Sequence, residues 1–314
     1  MQLRDVSEFA LIARIERIQR RARRPAGGTV ALGIGDDAAL LRVRKGEQVA
    51  VSTDAFVEGV HFRFTNESPR TIGRRALAAA VSDLAAMGAR PLGCVVALAA
   101  PPSLLLRRFD GIAAGIIAEA ARQRAPVCGG NLTRARETQI CVTAIGAVRP
   151  GRAMLRAGTA AGDRVLVTGT LGGAALERAR AERGRARVRR VPQPRLAAGR
   201  RLASVPGLVA CIDISDGLLA DLGHLLGTRL RLPLEPDRLP LAPGLRAGAR
   251  GLGLDPLELA LAGGGDYELL FTLRGARPSA AALGRRLGVR VSELGRVVRG
   301  RAPRVAGGGG WRHF

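Results

Sequence analysis

Apolar and charged positions interleave with a helical period in "MQLRDVSEFALIARIERIQRRARR", predicting an amphipathic helix over 7–24. Short β-like segments follow near 38–43, 48–53 and 58–64. The stretch "SPRTIGRRALAAAVSDLAAMGA" (68–89) predicts a helix and "PLGCVVALAA" (91–100) a buried strand. A second helix is predicted over 103–124 and a further strand over 138–148. The segment "RPGRAMLRAGTAAGD" (149–163), rich in Gly and bounded by Pro, reads as a linker. A new series opens with the strand "DRVLVTG" (163–169). It continues through a helix near 172–183, a strand at 208–214, a helix from 216, a strand at 267–273 and a helix near 278–288. This alternation predicts an α/β (α+β) chain of two domains, 1–150 and 151–314.

The chain has 314 residues, 47% of them hydrophobic, enough for a sizeable core. No run of eighteen apolar residues occurs, so no membrane span or membrane partner is expected. Charges throughout the N-terminal apolar stretch make it a poor signal peptide. Cys94, Cys128, Cys141 and Cys211 lie far apart without a CxxC pair, which reads as buried free thiols in a cytoplasmic protein. His61, His224 and His313 are equally scattered, so a zinc site built from Cys and His is not expected, and oxygen ligands would favour a hard cation such as Mg²⁺.

Net charge is +24, carried by arginine, with Lys45 the only lysine. Lys45 is followed by Gly46, so no P-loop exists, and no lysine Schiff base is expected. The arginine-dense stretches lack aromatic interleaving, and one Trp, one Tyr and seven Phe offer little for stacking bases. Nucleic acid is therefore not an expected partner. A basic nucleic-acid-binding protein without catalysis remains the more distant alternative.

Only 26 acidic residues are present, yet many sit in apolar or Gly-framed segments. They are Asp36 and Asp37 in "GIGDDAAL", Asp54 in "VAVSTDAF", Asp83 in "AAVSDLAAMG", Asp213 and Asp216 in "ACIDISDGLL", and Asp266 and Glu268 in "GGGDYELLF". Asp216 also suits a helix N-cap, and Asp54 a turn. Taken together, carboxylates at strand ends and helix starts point to several Mg²⁺ ions, which commonly bring nucleotide phosphates with them.

The ordered set "GIGDDAALL", "VSTDAFVEGVHF", "AVSDLAAMGARP", "CGGNLTR", "VTGTLGGAALE", "IDISDGLLADLGHL", "GGGDYELLFT" and terminal "GWRHF" resembles the thiamine-monophosphate kinase family. That family belongs with the ATP-binding enzymes that include aminoimidazole ribonucleotide synthetase, and the resemblance covers nearly the whole chain. It implies their two-domain architecture and a homodimer whose N-terminal sheets form a shared β-structure. It also implies an N-terminal ATP/Mg-binding domain and phosphorylation of thiamine monophosphate by ATP. Metal ligands implied by the resemblance are Asp37, Thr53, Asp54, Asp83, Asn131, Asp213 and Asp216, with Ser52 close by. Gly130, Asn131, Arg156 and Ser215 are implied to contact ATP, the first through a Gly129–Gly130 turn. His61, Gly265 and Trp311 are implied to contact the substrate; His224 reads as structural.

Three positions depart from the family pattern. Asn131 stands where the family usually has Asp, Gly265 where it usually has Glu, and an expected tyrosine is missing from the 103–124 helix. They leave open a related ATP-dependent enzyme, or a weakened paralogue, acting on another substrate.

Overall fold

The computed structural model describes residues 1–21, 28–34 and 38–300. The candidate residues Asp36, Asp37 and Trp311 lie outside them. The chain divides into two compact units. The first comprises Met1–Leu84, Arg90–Pro150 and Ala186–Val191; the second comprises Ala85–Ala89, Gly151–Arg185 and the residues from Pro192 onward.

The first unit opens with α1 (Glu8–Arg21), β1 (Val30–Leu32), β2 (Leu40–Leu41) and β3 (Gln48–Val57). Next come α2 (Pro69–Ala86, its last two residues counted with the second unit), β4 (Arg90–Ala100), α3 (Leu106–Gln123), β5 (Val127–Arg134) and β6 (Gln139–Val148). Helix α2 begins where a helix should. The Ser68 hydroxyl accepts the Thr71 amide at 3.1 Å, and Pro69 takes the first position, where no amide is needed. Its alanine-rich body is a strong helix former. Buried Glu119 of α3 receives Arg74 of α2 at 2.9 Å, which compensates the charge taken out of water.

The four-stranded sheet has the order β3-β6-β4-β5. β4 and β5 run parallel and the other neighbours antiparallel. On one face, Ser52, Asp54 and Phe56 of β3 register with buried Ala144, Val142 and Ile140 of β6. On the other, Val51, Thr53 and Ala55 of β3 are exposed and register with Ile145, Thr143 and Cys141. Strand β3 is an edge ten residues long.

The second unit holds β7 (Arg164–Thr168), α4 (Gly173–Glu182), α5 (Leu196–Leu202), β8 (Leu208–Asp213), α6 (Leu218–Leu226) and β9 (Leu230–Arg231). It continues with α7 (Leu245–Arg250), α8 (Pro256–Ala262), β10 (Leu269–Leu273), α9 (Ala280–Leu287), β11 (Val291–Arg296) and β12 (Val298–Arg299). Its main sheet is antiparallel, in the order β11-β7-β10-β8. The central strands β7 and β10 are buried along their whole length, matching their near-continuous apolar runs. Val165, Val167, Ile212, Leu270, Leu218 and Leu222 belong to one core between this sheet and its helices.

Some expectations change. Residues 58–64 form a turn rather than a strand, because Gly59 adopts φ +85° and the His61 amide closes onto the Val57 carbonyl at 2.8 Å. The β-like segment at 38–43 shrinks to Leu40–Leu41. Cys94, Cys128 and Cys211 are buried free thiols, as expected, whereas Cys141 is half-exposed on the open sheet face. Among the described residues no helix is long and apolar enough to cross a membrane.

Candidate functional site

In the first unit the candidate residues cluster on and around β3. The Ser52 hydroxyl and the Asp83 carboxylate Oδ2 are hydrogen-bonded, tying β3 to α2. Strand alternation puts half-buried Asp54 on the same face as Ser52. Thr53 points the other way, its hydroxyl 3.1 Å from that of Thr143 and 3.3 Å from the Cys141 thiol. Asn131 registers with Ala97 on that same open face. The structure thus brings Ser52, Asp54 and Asp83 to one side of the sheet, with Thr53 and Asn131 on the other.

Gly129 and Gly130 lie in strand β5 rather than in a turn. The reason for glycine at 130 is close packing: a Cβ there would sit 2.1 Å from the Val96 carbonyl oxygen of β4. Paired glycines within a strand carry no strand propensity, which hides β5 in the sequence.

His61 ends the turn after β3. Its Nδ1 accepts the Val57 amide at 3.1 Å, and its ring stacks on Phe56 with centroids 5.4 Å apart. An amide donating to Nδ1 means that nitrogen carries no proton, so the imidazole offers Nε2–H as a donor. Arg75 lies over the Phe56 ring at 5.1 Å and Arg108 over Phe64 at 4.4 Å, giving this corner a cationic, aromatic lining.

In the second unit, buried Asp213 is the last residue of β8, and Ser215 and Asp216 stand in the loop before α6. That loop is held from two sides. The Gly265 amide donates to the Ser215 carbonyl at 2.7 Å, and the Tyr267 amide donates to Ile214 at 2.8 Å. From within α6, the Asp221 Oδ2 accepts the amides of Ser215, Asp216 and Gly217 at 3.1, 3.2 and 3.2 Å. Burial raises the Asp221 carboxyl to about 7, the Asp216 charge adds to this, and the three amides oppose it. Sequence reasoning missed Asp221. The available signal was an acid in the first turn of a helix whose N-cap, Gly217, has no side chain.

Asp266 and Glu268, grouped above with possible metal ligands, hold structural partners. Asp266 accepts the Gly172 amide at 2.7 Å and that of Ala174 at 3.3 Å, anchoring the start of α4. Glu268 accepts the Thr168 hydroxyl at 2.7 Å and both Nε and Nη2 of Arg195. Gly265 has φ +79°, and a Cβ there would meet Ala174 and Arg178 only at 3.5 and 3.6 Å. Arg156 is exposed in a bend.

Among the described residues, no three His, Cys, Asp or Glu side chains are grouped closely enough to hold a metal ion. Within each unit the donors are all hard oxygens, the chemistry that suits Mg²⁺: Ser52, Asp54 and Asp83 in the first, Asp213 and Asp216 in the second.

Residues 35–148 match the family model described as AIR synthase related protein, N-terminal domain. The thiamine-monophosphate kinase of Mycobacterium tuberculosis is 38% identical over 99% of this chain and 91% of its own length. The crystal structure of thiamine-monophosphate kinase from Stenotrophomonas maltophilia is 35% identical. It superposes with a TM-score of 0.78 over 94% of this chain and 95% of that one. A structure titled "AaThiL complexed with AMPPCP and TMP" is 28% identical, with a TM-score of 0.71 over 100% of this chain and 99% of that one. The mixed α/β architecture of the aminoimidazole ribonucleotide synthetase type is common to them and to this chain.

Proposed function

This chain belongs to the thiamine-monophosphate kinase family, and we propose that it is an ATP-dependent kinase of thiamine biosynthesis that converts thiamine monophosphate to thiamine diphosphate. The observation that carries this reading is the 38% identity to a thiamine-monophosphate kinase over 99% of the chain. A relative with the same fold is described in complex with AMPPCP and TMP, which supports ATP and thiamine monophosphate as the two substrates.

In the reaction, a phosphate oxygen of thiamine monophosphate attacks the γ-phosphorus of ATP. The bond from that phosphorus to the β,γ-bridging oxygen breaks, and ADP leaves. The attacking oxygen is already anionic near neutral pH, so no strong general base is needed. That suits a candidate set rich in Asp and without lysine. Several Mg²⁺ ions, when bound, would neutralise the charge that builds on the transferred group. Asp37, Thr53, Asp54 and Asp83, with Ser52 close by behind Asp83, and Asp213 with Asp216 are proposed to hold these ions. Asn131 would add a neutral carbonyl oxygen where the family usually has a carboxylate. Gly130, Arg156 and Ser215 are proposed nucleotide contacts. His61, through Nε2–H, with Gly265 and Trp311, would meet the acceptor.

The enzyme is proposed to work in the cytoplasm as a homodimer. The support for a dimer is the ten-residue edge strand β3, whose open face carries Val49 at 52% and Val51 at 65% exposure. A long edge with exposed apolar residues is stabilised by pairing.

The test is ADP release with thiamine monophosphate and Mg²⁺, with each omitted in turn. ADP should appear only when both are present. A protein whose melting temperature responds to Mg²⁺ and nucleotide but not to thiamine monophosphate would favour the related enzyme with another acceptor, the reading to which Gly265 points.

A further inference from the structure

We propose that Asp221 is a positioning residue: its buried carboxylate gathers the Ser215, Asp216 and Gly217 amides onto one oxygen and so fixes the loop that bears the nucleotide and metal contacts. The inference rests on the roles given above to Ser215 and Asp216.

Helix capping accounts for only one of the three bonds, that from the N-cap Gly217 amide. A cap precedes the helix and satisfies amides of the first turn. Asp221 instead lies inside α6 and reaches back past the N-cap amide of Gly217 to the Ser215 and Asp216 amides, five and six residues earlier in the loop. It is also 2% exposed, so no water replaces the bonds it makes. The carbonyl side of the loop is held separately, by the Gly265 and Tyr267 amides. Removing the carboxylate would free the amide side alone and let Ser215 and Asp216 shift while β8 and α6 persist. Displacements of this kind at the partners of a metal ligand typically cost roughly 10–100-fold in affinity or activity.

The chemistry of the carboxylate also selects the control. A single oxygen, Oδ2, takes all three bonds, so the carbonyl oxygen of an asparagine can take them without the charge.

The experiment compares native protein, Asp221→Ala and Asp221→Asn by three readouts. These are hydrogen exchange at amides 215–217, Mg²⁺-dependent ATP binding by calorimetry, and kcat and KM for thiamine monophosphate. Asp221→Ala should exchange faster at those three amides, bind Mg²⁺–ATP roughly 10–100-fold more weakly and lose kcat by a similar factor. Asp221→Asn should stay within about threefold of native on all three, as one retained acceptor oxygen implies. The inference is overturned if Asp221→Ala opens the loop yet binds and turns over like native. A folded Asp221→Asn protein that has lost Mg²⁺–ATP binding also overturns it, and this holds even where the alanine variant does not fold. Failure of the proposed function shows separately, in the native protein alone. No turnover of thiamine monophosphate with intact Mg²⁺–ATP binding rejects the acceptor and leaves Asp221 testable. No Mg²⁺–ATP binding at all rejects the roles of Ser215 and Asp216 and this inference with them.

Discussion

Arg195 grips the buried Glu268 carboxylate with two parallel bonds, Nε to Oε2 at 2.6 Å and Nη2 to Oε1 at 2.5 Å. The same carboxylate takes the Thr168 hydroxyl, so one side chain ties the end of β7 and the residue before α5 to the entry of β10. Such a pair is costly to break, because the partner left behind stays charged and poorly hydrated. Arg195→Ala is expected to lower stability by about 3–5 kcal/mol, read as a shift in the urea midpoint at constant slope. A shift within the range of ordinary surface changes would mean that water reaches Glu268.

The two glycines of β5 should respond differently to alanine. At Gly130 the added methyl would overlap the Val96 carbonyl and force β4 and β5 apart. Gly130→Ala should cost about 3 kcal/mol or more. At Gly129 the nearest atom, Val95 Cγ1, lies at 3.5 Å, an ordinary contact. Gly129→Ala should change stability by less than about 1 kcal/mol. Thermal melts of both variants check this, and equal losses would refute the packing explanation.

Ser52 is expected to act through Asp83. Its hydroxyl holds that carboxylate in place, as a partner behind a metal ligand does. Ser52→Ala should raise the Mg²⁺ concentration needed for half-maximal ADP release roughly 10–100-fold. The melting temperature without metal should move little. An unchanged Mg²⁺ titration would remove Asp83 from the metal site.

The open face of β3 makes a prediction about assembly. Light scattering should give the mass of two 32.9 kDa chains for the native protein at micromolar concentration. Val51→Asp, which places a charge on that face, should give one. A native monomer would overturn the proposal.

Much of the fold was legible in period and punctuation. Helix α2 could be read from Ser68-Pro69 and an alanine-rich run, and β7 and β10 from near-continuous apolar residues. Strand β5 was not, because Gly129, Gly130 and Asn131 look like a turn until the approach of Val96 explains them. Residues 58–64 misled in the opposite sense: apolar residues around Gly59 suggested a strand, while their backbone folds back on Val57. For the site, the sequence marked the acids but not their partners. Asp266 and Glu268 looked like metal ligands, and only their amide, hydroxyl and guanidinium contacts reveal a structural use. Asp221 escaped notice because its role depends on a chain reversal that linear spacing does not display.

The alternation of β3 has a consequence for how this protein tolerates change. Residues 52, 54 and 56 face the buried side with Asp83, while 49, 51, 53 and 55 face the open side. A saturation scan of this one strand, scored separately for turnover and for self-association, would resolve into two interleaved combs of opposite parity, with Thr53, a proposed metal contact on the open side, counted in both. Inserting a single residue at its start would exchange the combs and abolish both properties together.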